Sequence, residues 1–152
     1  MTTQTTQNNA TLVRSLYDTY NSHQSDPAWL GKGTDPFAED CEIINVPLGL
    51  NLRGPEGYRQ FVLGFADAFP GSSTEVINVF ATEDQAVVEL IGRGTHTGPL
   101  HSPAGDIPPT GRKVDLRFCD VYQIRDGKIV SFHSYYDALT MMQQLGLIPA
   151  MA

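Results

Sequence analysis

Between Val114 and Leu145 the chain reads VDLRFCDVYQIRDGKIVSFHSYYDALTMMQQL, and no other segment limits the possible folds so strongly. Val114, Leu116, Phe118, Tyr122 and Ile124 alternate with Lys113, Asp115, Arg117, Cys119 and Gln123, the period-two pattern of a strand with one face buried. Arg125-Asp126-Gly127-Lys128 supplies a tight turn, with glycine providing positive φ, and a second strand returns from it. Asp137 then caps a helix in which Thr140, Met141, Gln144 and Leu145 precede a stop at Gly146. A long hairpin with one apolar face must be covered by something, which points to a sheet packed under helices.

Asp120 falls in phase with the apolar residues of the first arm. A buried carboxylate costs several kcal/mol unless it is paired, hydrogen-bonded or protonated. One reading makes Asp120 a structural residue bonded to a backbone or tyrosine donor. The other makes it a functional acid, largely protonated at neutral pH and donating a hydrogen bond to a substrate oxygen. The turn decides its neighbours. A two-residue loop sets His133 opposite Asp120, with Ser131 and Tyr135 on the same face. A three-residue loop with a glycine bulge sets Phe132 opposite and brings Phe132, Ser134 and Tyr136 to that face. The bulged form is preferred because it places aromatics beside an apolar strand, and His133 then has a structural or interface role.

The remaining elements fit around this hairpin. Residues 1–8 read as a frayed polar tail, and 9–152 as a single domain. Leu12, Val13, Leu16, Tyr17 and Tyr20 recur at helical spacing after a cap at Asn9 or Thr11, with Tyr17 either core or pocket-lining. Asp26-Pro27 starts a second helix that breaks at Gly31-Lys32-Gly33. Cys41 to Val46 forms a strand stopped by Pro47, with Asn45 at its end. Gly54-Pro55-Glu56 opens a helix carrying Tyr58, Phe61, Val62, Phe65 and Phe69 on one face. Thr74–Thr82 and Gln85–Thr97 form a hairpin in which Gly92, Gly94 and His96 share the apolar face. The glycines leave room there for a ligand, and His96 is either a pocket residue or a hydrogen-bonded structural one. Pro99 to Gly111 is a proline-rich loop able to rim a cavity. The fold class is α+β, a bent antiparallel sheet with helices on its concave side.

Lys and Arg number 10 against 17 Asp and Glu, a net charge of -7, and no basic run interrupts it. That balance argues against nucleic acid and anionic membrane surfaces as partners. Two cysteines in strand-like settings, without a signal peptide or long apolar run, lead to an expectation of free thiols in a reducing cytoplasm. His23, His96, His101 and His133 show no ligand spacing, so no metal site is expected.

Leu16-Tyr17-Asp18, Phe37-Ala38-Glu39-Asp40, Arg53-Gly54-Pro55-Glu56-Gly57, Gly94-Thr95-His96-Thr97-Gly98, Pro109-Thr110-Gly111-Arg112, Asp126-Gly127-Lys128-Ile129-Val130 and Gln144-Leu145-Gly146 resemble the nuclear transport factor 2-like superfamily. Within it they resemble the SnoaL-like polyketide cyclases, also labelled ester cyclases. The Gly-Thr-His-Thr-Gly, Pro-Thr-Gly and Gln-Leu-Gly pieces point to that branch; the Asp-Gly-Lys-Ile turn marks only the superfamily. The resemblance implies a cone of curved sheet and helices around one pocket, a homodimer or homotetramer, and no metal or organic cofactor. It also implies intramolecular aldol chemistry by an aspartate and a histidine on this hairpin. By position Asp120 occupies the histidine place and Ser134 the aspartate place, a departure from the pattern. The chain is similar to ketosteroid isomerase in another way: Asp120 and Tyr17 match its oxyanion-stabilising pair, while Asn45 stands at the place of its general base.

Two functions remain open on the sequence. The first is an enzyme acting on a small hydrophobic carbonyl or polyketide-like compound through an enol or enolate. In it Tyr17 and Asp120 stabilise the oxyanion, His96 or a water near Asn45 moves the proton, and Phe118, Phe132, Ser134 and Tyr136 bind the substrate. The second is a non-catalytic module of the same fold that binds a hydrophobic small molecule or dimerises through its sheet.

Overall fold

The computed structural model describes residues 2–149. The elements in order are α1 (Thr2–Asn21), α2 (Trp29–Thr34), β1 (Phe37–Asn45), β2 (Leu50–Arg53), α3 (Gly54–Ala68), β3 (Ser73–Ala81), β4 (Gln85–Thr95), β5 (Lys113–Arg125), β6 (Lys128–Tyr136) and α4 (Ala138–Gln144). The six strands form one curved sheet in the order β2-β1-β6-β5-β4-β3. The α+β architecture expected from the sequence is the one observed. The sheet is not wholly antiparallel, however, because β1 runs parallel to β6. Hairpins fix the directions of β3 through β6, whereas β1 reaches β6 only through the long intervening chain, so no tight turn dictates its direction.

Several local boundaries differ from the sequence reading. The first helix begins at Thr2, so the expected tail is helical from there to Asn8; Met1 lies outside the described residues. Asn9 is not its cap. It is buried within α1, and its Nδ2 donates to the carbonyls of Thr82 and Glu83, at 3.0 and 3.1 Å, tying the helix to the β3–β4 turn. Gly31 and Gly33 lie inside α2 rather than breaking it. Gly33 is buried against α1 and α3, where Thr19 and Tyr58 approach it, so packing outweighs its weak helix propensity. After Pro47 a turn closed by Gly49 N–H to Val46 O leads into β2, a short strand absent from the sequence reading.

The helix starting at Gly54 is well specified. Gly54 has φ +66°, and a Cβ there would stand 2.5 Å from Glu39 O, so only glycine fits; Pro55 follows in the first turn and Glu56 sits at the positive helix end. Its apolar face and that of α1 bury Val13, Leu16, Tyr58 and Val62 against Ile43, Val88, Tyr122 and Phe132 of the sheet. A second cluster, around Phe69, Leu116, Met141 and Leu145, closes the other end. There α4, capped by Asp137 accepting from Thr140 N–H at 3.1 Å, is held to β5 by Gln144, whose amide pairs with both backbone groups of Asp115 at 2.9 Å.

Candidate active site

Asp120 stands mid-strand in β5, between Val88 of β4 and Ser134 of β6. The β5–β6 connection is a two-residue loop, with φ +51° at Asp126 and +74° at Gly127, and not the three-residue loop preferred from the sequence. Left alone, such a loop would set His133 opposite Asp120. Instead the register shifts by one residue between the Ile124–Ile129 and Gln123–Ser131 pairs, making Val130 the extra residue of a bulge. Every later β6 side chain changes face. Phe132, Ser134 and Tyr136 therefore do share the face of Asp120, but Ser134 stands directly opposite it and Phe132 opposite Tyr122. His133 points to the other face, where Nε2 meets Glu42 Oε1 at 2.5 Å.

The carboxyl of Asp120 is 4% exposed and its hydrogen-bond donors are hydroxyls. Tyr17 donates to Oδ2 and Ser134 to Oδ1, each over 2.7 Å. Since the one proton of Tyr17 is committed to Asp120, its 2.5 Å contact with Tyr122 has Tyr122 as donor. The result is a chain from Tyr122 to Tyr17 to Asp120, met from the other side by Ser134. Burial pushes the Asp120 carboxyl up to about 6, while the two hydroxyl donors oppose that rise. The rise runs in the direction expected of a buried acid, and the two donors, by partly replacing lost hydration, keep the carboxylate form accessible near neutral pH. Burial and the nearby Asp120 charge push the hydroxyls of Tyr17 and Tyr122 well up, so both remain donors.

Asp120 lines a cavity of about 80 Å³ together with Tyr17, Phe118, Phe132 and Ser134. Two other expected site residues lie elsewhere. Asn45 and Tyr136, joined by a 2.7 Å hydrogen bond from the tyrosine hydroxyl to Asn45 Oδ1, line an adjoining cavity of about 400 Å³. Between the two spaces stand Phe61, Phe65 and Met141, which face both. The single pocket implied by the resemblance is here divided by side chains.

His96 is not on the wall of either cavity. It follows the end of β4, fully buried, with its ring 5.4 Å from that of Phe69. Thr110 N–H donates to Nδ1 at 3.1 Å, Thr110 Oγ1 lies 3.0 Å from the same nitrogen, and the His96 backbone pairs with Arg112 O and Gly111 N–H. Burial holds its pKa below the ordinary imidazole value. Its strand phase is as read, but Phe69 occupies the space between it and the cavity. The same helix end explains the glycines. A Cβ on Gly94 would stand 3.0 Å from Phe69 Cβ, and one on Gly98 only 1.9 Å from Asp67 O; Gly92 faces the Phe118 ring at 3.0 Å. Gly92 and Gly94 both line the Asp120 cavity, as the open face read from the sequence expects, and they also let Phe118 and Phe69 come close, whereas Gly98 makes room only for backbone. The Gly-Thr-His-Thr-Gly and Pro-Thr-Gly pieces thus anchor the 99–111 loop to the end of α3.

Tyr58 and Tyr122 belong to the site and were read from sequence only as apolar-face residues. Tyr58 lines the cavity, packs edge-on to Phe132 at 5.5 Å, and has its hydroxyl pKa raised by burial and by the charge of Asp120. Among the described residues its hydroxyl makes no side-chain hydrogen bond. The signal that could have found both is a tyrosine hydroxyl on a buried face, which needs a polar partner there. Among the described residues no cluster of three or more His, Cys, Asp or Glu could hold a metal, and no helix is long and apolar enough to cross a membrane.

A curved sheet closed by helices over an apolar cavity, with one buried carboxyl among tyrosines, defines a nuclear transport factor 2-like domain of the cone-shaped kind. The chain belongs to the SnoaL-like polyketide cyclase family, whose model matches residues 10–145. Among solved structures it is similar to a candidate SnoaL-like polyketide cyclase from Jannaschia sp. CCS1, with 22% identity, TM-score 0.81 and 94% of each chain covered. It is also similar to IdmH, a candidate polyketide cyclase from Streptomyces antibioticus, with 26% identity, TM-score 0.68, 89% of this chain and 96% of that one. AclR, a candidate hydroxylase from Streptomyces galilaeus, aligns with 20% identity and TM-score 0.75 over 93% of this chain and 83% of its own. No curated protein matches. Neighbours of such different description show that the fold is shared while the chemistry rests on the site.

Proposed function

We propose that this chain is an acid/base enzyme that converts a small hydrophobic carbonyl compound into its enol or enolate, the step from which aldol ring closure or isomerisation proceeds. The observation that carries this reading is the Asp120 carboxyl beside a cavity, pushed up to about 6 by burial against the opposing pull of two hydroxyl donors. A general base works best with a pKa near the operating pH, and groups so perturbed concentrate at functional sites. In this reading Asp120 carboxylate takes the proton from the carbon next to the carbonyl. The C–H electron pair becomes the C=C bond, and the carbonyl oxygen takes the negative charge.

Once Asp120 holds that proton, Tyr17 no longer faces an anion there and can turn its hydroxyl to the new oxyanion, with Tyr58 as a second donor. Phe118 and Phe132 supply apolar walls that exclude water. Reprotonation by Asp120 at another carbon gives isomerisation; attack of the enolate carbon on a second carbonyl gives an aldol product. A substrate whose C–H lies between two carbonyls needs only a weak base, which suits a site with serine at position 134. His96, behind Phe69, is replaced in this scheme by Asp120 itself.

The alternative, a non-catalytic binding module, is favoured by one observation: both Asp120 oxygens are already hydrogen-bonded within the protein. Carboxylate oxygens retain further acceptor sites, so this does not block a substrate proton. Proton NMR of acetylacetone in D2O separates the two. The enzyme reading expects faster loss of the methylene signal with wild-type protein than with Asp120→Leu; equal rates for the two proteins and for buffer leave only the binding module.

A further inference from the structure

We infer that Phe61, Phe65 and Met141 form a movable partition that sets substrate length, and that the substrate is an elongated carbonyl compound lying across both cavities. Its reactive carbonyl would lie against Asp120. Its far end, bearing a hydrogen-bonding group, would lie beside the Asn45–Tyr136 pair. This inference deepens the enolisation reading and rests on it for the identity of the reactive end.

Sizes come first. The cavity at Asp120 holds about 80 Å³, about half the ~150 Å³ of an apolar cavity that admits benzene. The outer cavity, about 400 Å³, falls in the ordinary range for small-molecule sites. The space that can hold a substrate is therefore not the space that holds the acid. A compound larger than a few heavy atoms that lies across both spaces needs the residues facing both to give way.

Those residues can move. Phe61 and Phe65 touch edge-on at 5.4 Å, Phe61 meets Phe132 at 5.1 Å, and Phe65 meets Phe118 and Tyr136 at 5.6 and 5.7 Å. These contacts are ring edges without hydrogen bonds, so a rotamer change breaks no polar pairing. Between the two phenylalanines on α3, Gly64 has nothing within 4 Å of where a Cβ would stand, leaving open space on the outer side of the partition. Met141, with its flexible thioether chain, fills the remaining gap and can refill it in another shape. The hydrogen-bonded Asn45–Tyr136 pair then offers an amide–phenol contact in the outer cavity for a polar group at the far end.

The test uses acetylacetone as a short probe and 1-(4-hydroxyphenyl)-1,3-butanedione as a long one, with association rates measured by stopped-flow absorbance and methylene exchange by NMR. Wild type is compared with Phe65→Ala, and with Phe65→Leu in case the larger truncation fails to fold. Opening the partition is expected to raise the long-to-short ratio of association rates by roughly tenfold. A ratio within about twofold of wild type in a folded variant would overturn the partition, as would failure of both probes to bind. If the ratio rises but no protein accelerates exchange, the partition stands and the enolisation reading falls.

Discussion

Ser134 donates its hydroxyl to Asp120 Oδ1 over 2.7 Å from the position directly across the β5–β6 ladder. Where the family resemblance places a second acid/base group, this chain has a neutral donor, so the pair contains one proton-transferring group and one that tunes it.

Removing the tuner should therefore move the titration. In Ser134→Ala the Asp120 carboxylate loses one of its two hydroxyl donors, and its pKa should rise by about one unit, equivalent to ~1.4 kcal/mol for a hydrogen bond to a charged group. Since the carboxylate is the active form, exchange by wild type should rise with pH through about 6, and the Ala variant should show its midpoint higher. An unmoved midpoint in the pH–rate profile would show that Ser134 does not tune the acid.

Asp120→Asn preserves shape but cannot accept a proton from carbon. It should lose roughly a hundredfold or more of the exchange rate, the usual range for general acid–base catalysis. If Asn retains much of the rate while Leu abolishes it, Asp120 acts through hydrogen bonding alone and not as the base.

The same group marks the pH dependence of stability. Its folded pKa, about 6, lies above its unfolded value of 3.8, so the folded state holds the proton more tightly. Stability from this site is greatest at low pH and is lost as pH rises from about 4 to 6, then stays level. Relative to Asp120→Asn, wild type should lose roughly 2 kcal/mol between pH 4 and pH 7. Urea denaturation at the two pH values checks the sign; a difference that grows in favour of wild type would contradict it.

Gly98 and Gly64 should respond oppositely to alanine. At Gly98 a Cβ would stand 1.9 Å from Asp67 O, and forcing backbone apart there should cost roughly 2 kcal/mol or more. At Gly64, helical and unobstructed, alanine should stabilise by about 0.5–1 kcal/mol through helix propensity. Thermal melts of the two variants decide the matter.

His96→Asn tests the placement of the imidazole behind Phe69. Losing the contacts of Nδ1 with Thr110 should lower thermal stability, while the exchange rate at pH 7 should stay within about threefold of wild type. A fall of roughly a hundredfold without loss of stability would return His96 to proton transfer.

The local pattern of residues determined a good part of the architecture. Alternation placed Asp120 on the buried face of β5, the Gly54-Pro55-Glu56 start and the Asp137 cap fixed two helices, and Asp126-Gly127 fixed a tight turn. Each is legible because its cause lies within a few residues: side-chain period, positive φ, or a side chain bonding its own helix end.

What the tertiary structure alone decided lies in relations between distant segments. The bulge at Val130 exchanges the faces of β6, and the sequence there reads equally well with or without it, because the choice depends on how β6 fits β5 on one side and β1 on the other. The direction of β1 is likewise invisible locally. The site divides for the same reason: whether a glycine makes room for a ligand, for Phe69 or for Phe118 depends on which side chain the fold brings to it. Strand phase determined that a carboxyl is buried; packing between α3, α4 and the sheet decided that His96 is walled off, that Tyr58 and Tyr122 join Asp120, and that Phe61 and Phe65 stand across the pocket. Dense packing couples each of these positions to neighbours far away in sequence, so local periodicity cannot carry the information.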